Sequence, residues 1–234
     1  MRNQTGFTLI EIAIVLVIIG LLLGGVLKGQ ELITSARVRN LITQQDGIKA
    51  AYFGFLDRYR ALPGDYDQAV QNISNVSTAS CNGGKGNGNG RIEITSDENV
   101  LVWEHLSKAG FINGSYTCAA NGSETAASTP TNPFAVRMQI VWDAAYEVAT
   151  GGTVGPATTA RHNLKTGGQI PSDLLAEVDR KIDDGSATGG NYHFSPYDGG
   201  AGAPTGSGSC YSGSAPYQWN SATVVANCGG ASLF

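Results

Sequence analysis

Hydrophobic positions follow two patterns in the first part of the chain. Residues 7–27 form an apolar run whose only charged residue is Glu11. From Gln30 onward, apolar residues recur at three- and four-residue steps with charged residues between them, which is typical of an amphipathic helix. We therefore predict one helix from about Thr8 to about Arg60, ended by the turn-forming sequence at 62–65, Leu-Pro-Gly-Asp. Such a helix is roughly 80 Å long, so part of it must pack on something outside the chain.

The apolar run is long enough to cross a membrane. As a helix, residues 7–27 span roughly 31 Å, which matches the hydrocarbon core of a bilayer. A carboxylate at that depth costs about 2.5 kcal/mol or more, so an ionisable residue there indicates a function and a partner. The nearest basic residues, Arg2 and Lys28, lie outside the run. We therefore expect the compensating charge for Glu11 to come from a chain terminus or from another subunit.

Two shorter helices are predicted beyond the first turn. Thr95 and Glu98 have capping-box spacing ahead of an apolar pattern that ends at Gly110, which predicts a helix over about residues 96–109. Ser172 precedes a second amphipathic pattern that ends at Gly185. Within that pattern, Glu177 and Lys181 are one helical turn apart and are expected to pair.

Strand signals lie between and after these helices. Apolar and polar residues alternate over residues 136–143, which predicts a half-buried strand. Residues 192–194 and 217–225 are weaker strand candidates. Together these elements predict an α+β fold, in which a small antiparallel sheet lies against the lower part of the long helix.

Composition and charge limit the functions that the chain can have. The chain has 234 residues, a formal net charge of -4 and 32 glycines, many of them in the loop-rich segments 81–90 and 185–230. A mildly acidic chain does not favour unspecific binding to nucleic acid phosphates, and no nucleic acid partner is expected.

The four cysteines all follow the apolar run. Cys81, Cys118, Cys210 and Cys228 would lie in the periplasm if Arg2 stays in the cytoplasm, and that compartment permits disulfides. Three connectivities are possible. We favour Cys81 with Cys118 and Cys210 with Cys228, because each pair brackets one turn-rich loop. A zinc site is disfavoured because no C-x-x-C pair or suitably spaced histidine accompanies them.

The segment Gly6 to Glu11, G-F-T-L-I-E, followed by the unbroken apolar stretch, resembles the prepilin signal of type IV pilins and type II secretion pseudopilins. The resemblance implies that a prepilin peptidase cuts between Gly6 and Phe7 and methylates the new amino terminus of Phe7. It also implies that Glu11 neutralises the terminal ammonium of a neighbouring subunit during filament assembly. A secretory signal peptide is one alternative, but the apolar run is longer than such a peptide has and no A-x-A cleavage pattern follows it. A plain membrane anchor is the other, but it does not explain the position of Glu11.

The resemblance also implies a domain organisation and a location. Residues 1–6 are the leader peptide, and residues 7–62 are the amino-terminal helix, whose first part, 7–27, is the transmembrane segment and filament core. Residues 63–234 form a pilin-like globular domain. The expected protein is single-pass in the bacterial inner membrane with its domain in the periplasm, and at the cell surface or in a pilus after assembly. Expected partners are the prepilin peptidase, other pilin or pseudopilin subunits, and inner-membrane lipid.

The predicted function is that of a structural subunit of a type IV pilus or a type II secretion pseudopilus. The sequence does not distinguish these two filaments from that of a competence system. The segments at 62–65, around Trp103 and at 181–185 look like those of uncharacterised pilin-like proteins. One alternative is a minor or tip pilin that binds DNA or a surface ligand. Its candidate exposed aromatic residues are Tyr211, Tyr217 and Trp219.

The other alternative, a membrane-anchored enzyme, lacks support in the sequence. His105, His162 and His193 are scattered without ligand spacing, and no G-x-S-x-G sequence occurs. We predict no catalytic residue, no cofactor and no metal ligand. Residues 85–92 partly match a calcium loop at Asn87 and Asn89, but its first and twelfth ligand positions lack carboxylates. Only the fold could supply them, from Asp65, Asp67, Glu93 or Asp97.

Overall fold

The computed structural model describes residues 8–119, 122–150 and 152–234. It begins with α1, Leu9–Tyr59, a single helix of 51 residues. Thr8 caps its amino terminus, where the Thr8 side chain and Glu11 form a capping box. Arg60 ends the helix in the left-handed conformation, and its N–H donates to the Leu56 carbonyl. The prediction of one long helix is confirmed.

Burial divides α1 into two segments. No residue from 9 to 37 is buried, and we call this part the exposed segment. Residues 38–59 form the packed segment, because buried side chains recur there at helical spacing. The buried residues of the packed segment are Val38, Leu41, Gln45, Ile48, Ala51, Tyr52 and Phe55.

The remaining helices and strands form one α+β domain around the packed segment, as predicted. The helices after α1 are α2, Ala69–Asn72; α3, Cys81–Gly84; α4, Glu98–Lys108; and α5, Ser172–Ile182. The strands are β1, Gln139–Asp143; β2, Glu147–Thr150; β3, Thr153–Pro156; β4, Arg161–Lys165; β5, Tyr192–Phe194; and β6, Gly230–Leu233.

The strands form two antiparallel sheets. The larger sheet has the order β1-β4-β6-β5, and β2 pairs with β3 in a hairpin. In the larger sheet, Ile140 of β1 lies opposite Leu164 of β4, and Tyr192 of β5 lies opposite Ser232 of β6. One apolar cluster joins the packed segment to α4 and this sheet through Phe55, Trp103 and Leu164. A second cluster joins Val38 and Leu41 to α5 and the carboxy-terminal loops.

The strand predicted at residues 192–194 is confirmed as β5, but the other two strand predictions were wrong in their bounds or entirely. The first strand begins at Gln139 rather than at residue 136, and Gln139 and Val141 are as buried as Ile140, so the sheet is covered on both faces there. Residues 217–225 form no strand. They make only isolated bridges, such as Trp219 with Tyr211, because Tyr217 and Trp219 are buried among the carboxy-terminal loops and residues 221–224 lie exposed.

Both short helices were predicted, but their caps differ from expectation. α4 starts at Glu98 after Asp97, which adopts the left-handed conformation and makes no side-chain cap. The Glu98 carboxylate instead accepts from the N–H groups of Asn87 and Glu93. α5 begins at Ser172 after Pro171, and the Ser172 hydroxyl donates to the Asn220 carbonyl and accepts from the Val225 N–H. The predicted pair of Glu177 with Lys181 is present.

Candidate functional site

Glu11 lies in the first turn of α1 on an exposed face. Its Oε2 atom accepts hydrogen bonds from the Thr8 N–H at 2.8 Å and from the Thr8 hydroxyl at 2.6 Å. The chain therefore gives this carboxylate hydrogen-bond donors three residues away, which the sequence reading missed. In the described part of the chain, Glu11 makes no ion pair. The positions of Gly6 and Phe7 lie outside the described residues.

From Leu9 to Leu27 the exposed segment presents an apolar surface in which Glu11 is the one charged residue. Large side chains such as Leu9 and Leu21 are 88% and 73% exposed. At Gly20, Gly24 and Gly25, an added Cβ would meet no atom within 4 Å, so no other part of the described chain approaches them. α1 is the one helix of the described residues that is long and apolar enough to span a membrane.

A charged boundary follows the apolar run. Lys28 Nζ lies 2.7 Å from Glu31 Oε2, and both side chains are largely exposed. From Leu9 to Leu27 the helix rises by about 28 Å, close to the thickness of a bilayer core. The ion pair therefore lies where a helix that spans a membrane would return to water.

The four cysteines form two disulfides in the structure. Cys81 is joined to Cys118, and Cys210 is joined to Cys228, with Cα atoms 6.0 Å and 5.7 Å apart respectively. These are the pairs favoured from the sequence. The first disulfide connects α3 to the segment after α4. The second closes the glycine-rich carboxy-terminal loop, and both of its cysteines belong to the cluster that contains Val38 and Leu41.

Two carboxylates hold the loop that partly matches a calcium loop. Asp65 accepts from the N–H groups of Asn89 at 3.1 Å and Gly90 at 2.7 Å, and Glu98 accepts from Asn87 and Glu93 at 3.0 Å each. Burial raises the pKa of both carboxyl groups. The fold thus brings carboxylates to this loop as acceptors of backbone hydrogen bonds, and among the described residues of the loop no group of three metal-ligating side chains converges.

The aromatic residues considered for ligand binding are not on the surface. Tyr211, Tyr217 and Trp219 are all buried in the cluster that covers Val38 and Leu41. The Trp219 indole N–H donates to Asp179 Oδ2 at 2.7 Å, and the Tyr217 hydroxyl donates to the Gly152 carbonyl at 2.6 Å. The proposed aromatic patch was therefore wrong, because these side chains form the core of the carboxy-terminal loops.

The histidines are separate from one another. His105 is buried, and its Nδ1 accepts from the Gly64 N–H at 3.0 Å, so its Nε2 carries the proton and donates to the Gly84 carbonyl at 3.1 Å. Burial lowers the pKa of His105 to about 4. His162 packs against the Trp142 ring, and burial lowers its pKa to about 4 as well. His105 is therefore a core residue, whereas His162 is half-buried.

Residues 1–27 match the family model described as the prokaryotic N-terminal methylation motif. This motif is the prepilin signal of type IV pilins and pseudopilins, and it contains Gly6, Phe7 and Glu11. No curated protein and no solved structure matches the chain. The motif supports a pilin-like or pseudopilin subunit and fits a protein anchored in the inner membrane.

Proposed function

We propose that this chain is a structural subunit of a type IV pilus or of a type II secretion pseudopilus. The observation that carries the proposal is the methylation motif at residues 1–27 together with a helix whose apolar first segment has no partner within the described chain. A prepilin peptidase would remove residues 1–6 and methylate Phe7. The mature subunit would then stay anchored in the membrane by α1. During assembly, α1 would pack against the α1 helices of neighbouring subunits.

The exposed segment suits both a lipid bilayer and the interior of a filament. Its apolar part, residues 9–27, matches lipid before assembly and the apolar sides of other helices afterwards. Gly20, Gly24 and Gly25 let another helix come close, since small residues allow close backbone approach in membranes. The same surface could therefore contact lipid before assembly and other helices in the filament, without any change in the fold of the globular domain.

Glu11 would provide selectivity in that assembly. A carboxylate surrounded by apolar helices is costly unless an opposite charge meets it, and removal of one partner of a buried pair is strongly unfavourable. The amino terminus of a neighbouring mature subunit would supply the charge. The hydrogen bonds from Thr8 orient the carboxylate at the start of α1, but they bring no positive charge.

The proposal places residues 63–234 in the periplasm before assembly and at the cell surface if the filament is a pilus. Both disulfides lie in this part of the chain, which fits an oxidising compartment. The ligand-binding tip subunit is the weaker alternative, because its aromatic candidates are buried. The methylation motif is typical of structural filament proteins and gives no support to an anchored enzyme.

The proposal is tested in a cell that has a prepilin peptidase and a filament machine. Intact-mass and peptide spectra of sheared filaments are expected to show N-methyl-Phe7 as the first residue and the two disulfides as paired peptides. A bulky substitution, Gly6→Trp, is expected to leave residues 1–6 attached. Filaments that contain Met1 would contradict the processing step.

Assembly is tested separately with Glu11→Ala. This variant is expected to insert and to be processed, yet to appear in filaments at less than about a tenth of the wild-type level, because the loss of a buried pair is worth several kcal/mol. The matched control is Glu31→Ala, which removes an exposed carboxylate of the same helix outside the apolar run. Wild-type incorporation of Glu11→Ala would contradict the role of this residue and favour a plain anchor.

A further inference from the structure

A cleft lies between the packed segment of α1 and the end of α5. Its volume is about 140 Å³, and Ile42 of α1 and Ile182 of α5 form its apolar sides. The cleft reaches from exposed side chains such as Asp46 to the buried side chains of Gln45 and Tyr192. A water molecule takes up about 30 Å³ in the liquid, so there is room for about five waters or for one small organic molecule.

Three polar atoms of the residues that line the cleft lack hydrogen-bond partners. Gln45 is 2% exposed, and neither its Nε2 nor its Oε1 atom has a partner in the described part of the chain. The hydroxyl of Tyr192, whose side chain is 1% exposed, also has none there. The two side chains are neighbours, but neither completes a hydrogen bond to the other. Because buried polar groups without partners are unfavourable, this arrangement favours a bound molecule that both donates and accepts hydrogen bonds.

Opposite charges line the same cleft without forming an ion pair. Lys49 is partly buried, and burial lowers the pKa of its ammonium group, an effect that the nearby carboxylates of Asp46 and Asp183 oppose. Within the described chain, none of these three side chains belongs to an ion pair. Asp183 Oδ2 accepts from the Tyr192 N–H at 2.9 Å, so this carboxylate is held in place. The cleft therefore offers one ammonium and two carboxylates to a ligand.

The pattern of charges selects the class of ligand. A simple anion would meet two carboxylates, and a simple cation would meet the ammonium of Lys49. A molecule with both charges avoids each repulsion if its carboxylate lies near Lys49 and its ammonium lies near the two aspartates. The unpartnered amide of Gln45 suits the same molecule, because an amide can donate to a carboxylate and accept from an ammonium.

We propose that this cleft binds a free α-amino acid with a small or medium-sized apolar side chain. The α-carboxylate accepts hydrogen bonds from Lys49 and from Gln45 Nε2, and the α-ammonium donates to Asp46 and Asp183. The apolar side chain of the ligand packs against the two isoleucines at the sides of the cleft. The volume of the cleft suits one amino acid rather than a peptide. This binding does not depend on filament assembly.

The ligand would connect the packed segment to the rest of the domain. Gln45, Asp46 and Lys49 belong to the packed segment, whereas Asp183 caps α5 and Tyr192 belongs to β5. A molecule that binds only the folded state stabilises it by mass action. The bound amino acid therefore stabilises the contact of α1 with α5 and β5, whatever covers the exposed segment.

The test uses isothermal titration calorimetry of the full-length protein in a non-ionic detergent, whose headgroup does not compete for the charged side chains. Glycine, L-alanine, L-valine and L-leucine are titrated separately. The tightest of them is expected to raise the midpoint of thermal unfolding by about 5 °C or more at about 100 times its dissociation constant. The N-acetyl derivative of that amino acid lacks the ammonium, and its primary amide lacks the carboxylate. Each derivative is expected to bind at least about tenfold more weakly.

Two variants separate binding from folding. Gln45→Met removes the unpartnered amide, so it is expected to weaken binding about tenfold or more while it raises the unfolding midpoint of the ligand-free protein. Lys49→Met removes the ammonium of the cleft and is expected to weaken binding by a similar factor. The matched control, Lys85→Met, removes an exposed lysine that does not line the cleft and is expected to bind like the wild type.

Three results would overturn the proposal. The first is the absence of both heat and a midpoint shift with all four amino acids up to about 10 mM, which would leave water as the occupant of the cleft. The second is equal affinity for the amino acid and either derivative, because the cleft would then not recognise both charges. The third is wild-type affinity of both Gln45→Met and Lys49→Met, which would place the binding elsewhere on the protein.

Discussion

The two segments of α1 are one continuous helix with opposite surroundings. Leu21 of the exposed segment is 73% exposed, whereas Phe55 of the packed segment is 0% exposed. Backbone hydrogen bonding does not distinguish them, since both belong to the same 51-residue helix. The difference lies in the partner, because the packed segment is covered by its own domain and the exposed segment by no described part of the chain. Its apolar surface is thus available to lipid or to other subunits.

This contrast implies that the two segments contribute to different equilibria. Apolar burial in the packed segment stabilises the folded domain, at roughly 25 cal/mol for each Å² removed from water. Burial of the exposed segment contributes only when a bilayer or a filament covers it. Substitutions in one segment should therefore change domain stability, and substitutions in the other should change insertion and assembly.

The largest expected effect comes from Phe55→Ala. Phe55 packs against Tyr59 with ring centroids 4.5 Å apart and stacks on His105, so its removal leaves a cavity in the main cluster. We expect a loss of about 3–5 kcal/mol in the free energy of unfolding of the domain. The measurement is denaturant unfolding of the full-length protein in detergent, followed by near-ultraviolet circular dichroism.

The matched control for Phe55→Ala is Leu22→Ala in the exposed segment. Because Leu22 is 64% exposed, the control should change the unfolding free energy of the domain by less than about 0.5 kcal/mol. Equal losses in the two variants would show that the segments unfold as one unit, and the division of α1 would then be wrong.

The sequence predicts this division well, because it depends on local pattern. The apolar run and the amphipathic continuation are both visible in the order of residues, and Glu11 is conspicuous as a lone carboxylate among apolar residues. The capping role of Thr8 was missed, although Thr8 and Glu11 have the capping-box spacing. The presence of an α+β domain also follows from pattern, because α4, α5 and β1 have clear periodicities.

Features that depend on tertiary contacts were not predictable in the same way. β4 contains Arg161, His162 and Lys165, and β6 has three small residues before Leu233, so neither has the residue pattern of a strand. The hydrogen bond from the Trp219 indole to Asp179 could not be predicted for a similar reason, because the two residues are 40 positions apart along the chain.

A second prediction tests the packed segment through pH. His105 stacks on Phe55, and burial lowers its pKa to about 4 from an ordinary value of 6.5. Between these two pH values the unfolded chain binds a proton that the folded domain excludes, so stability falls as the pH decreases from about 6.5 to about 4. The loss attributable to His105 reaches about 3 kcal/mol at the lower limit.

The comparison with His105→Gln isolates this effect. Glutamine can accept from Gly64 and donate to Gly84 without titrating, whereas Asp65 and Glu98, whose pKa burial raises, titrate in the opposite sense in both proteins. The unfolding free energy of the wild type minus that of the variant should therefore decrease by up to about 3 kcal/mol as the pH falls over this range. A difference that stays constant from pH 7 to pH 4 would exclude His105 as the titrating group.

The smallest expected effect tests where the packed segment begins. Arg37 is the last residue of the exposed segment, and its guanidinium carbon lies 5.1 Å from the centroid of the Phe134 ring. Such a contact at an exposed position is worth about 0.5–1 kcal/mol, so Arg37→Gln should destabilise the domain by that amount. Arg39→Gln is the control, because Arg39 is exposed and makes no cation–π contact in the described chain.

A double-mutant cycle of Arg37→Gln with Phe134→Leu separates the ring contact from general effects of charge, since both arginine substitutions remove one positive charge from the same helix. A coupling energy near zero would place the beginning of the packed segment at Val38, where burial begins. A coupling energy above about 2 kcal/mol exceeds an exposed cation–π contact and would mean that the domain also holds residues before Arg37. The expected intermediate value places Arg37 at the edge of the packed segment, where its guanidinium lies over the Phe134 ring at an exposed position.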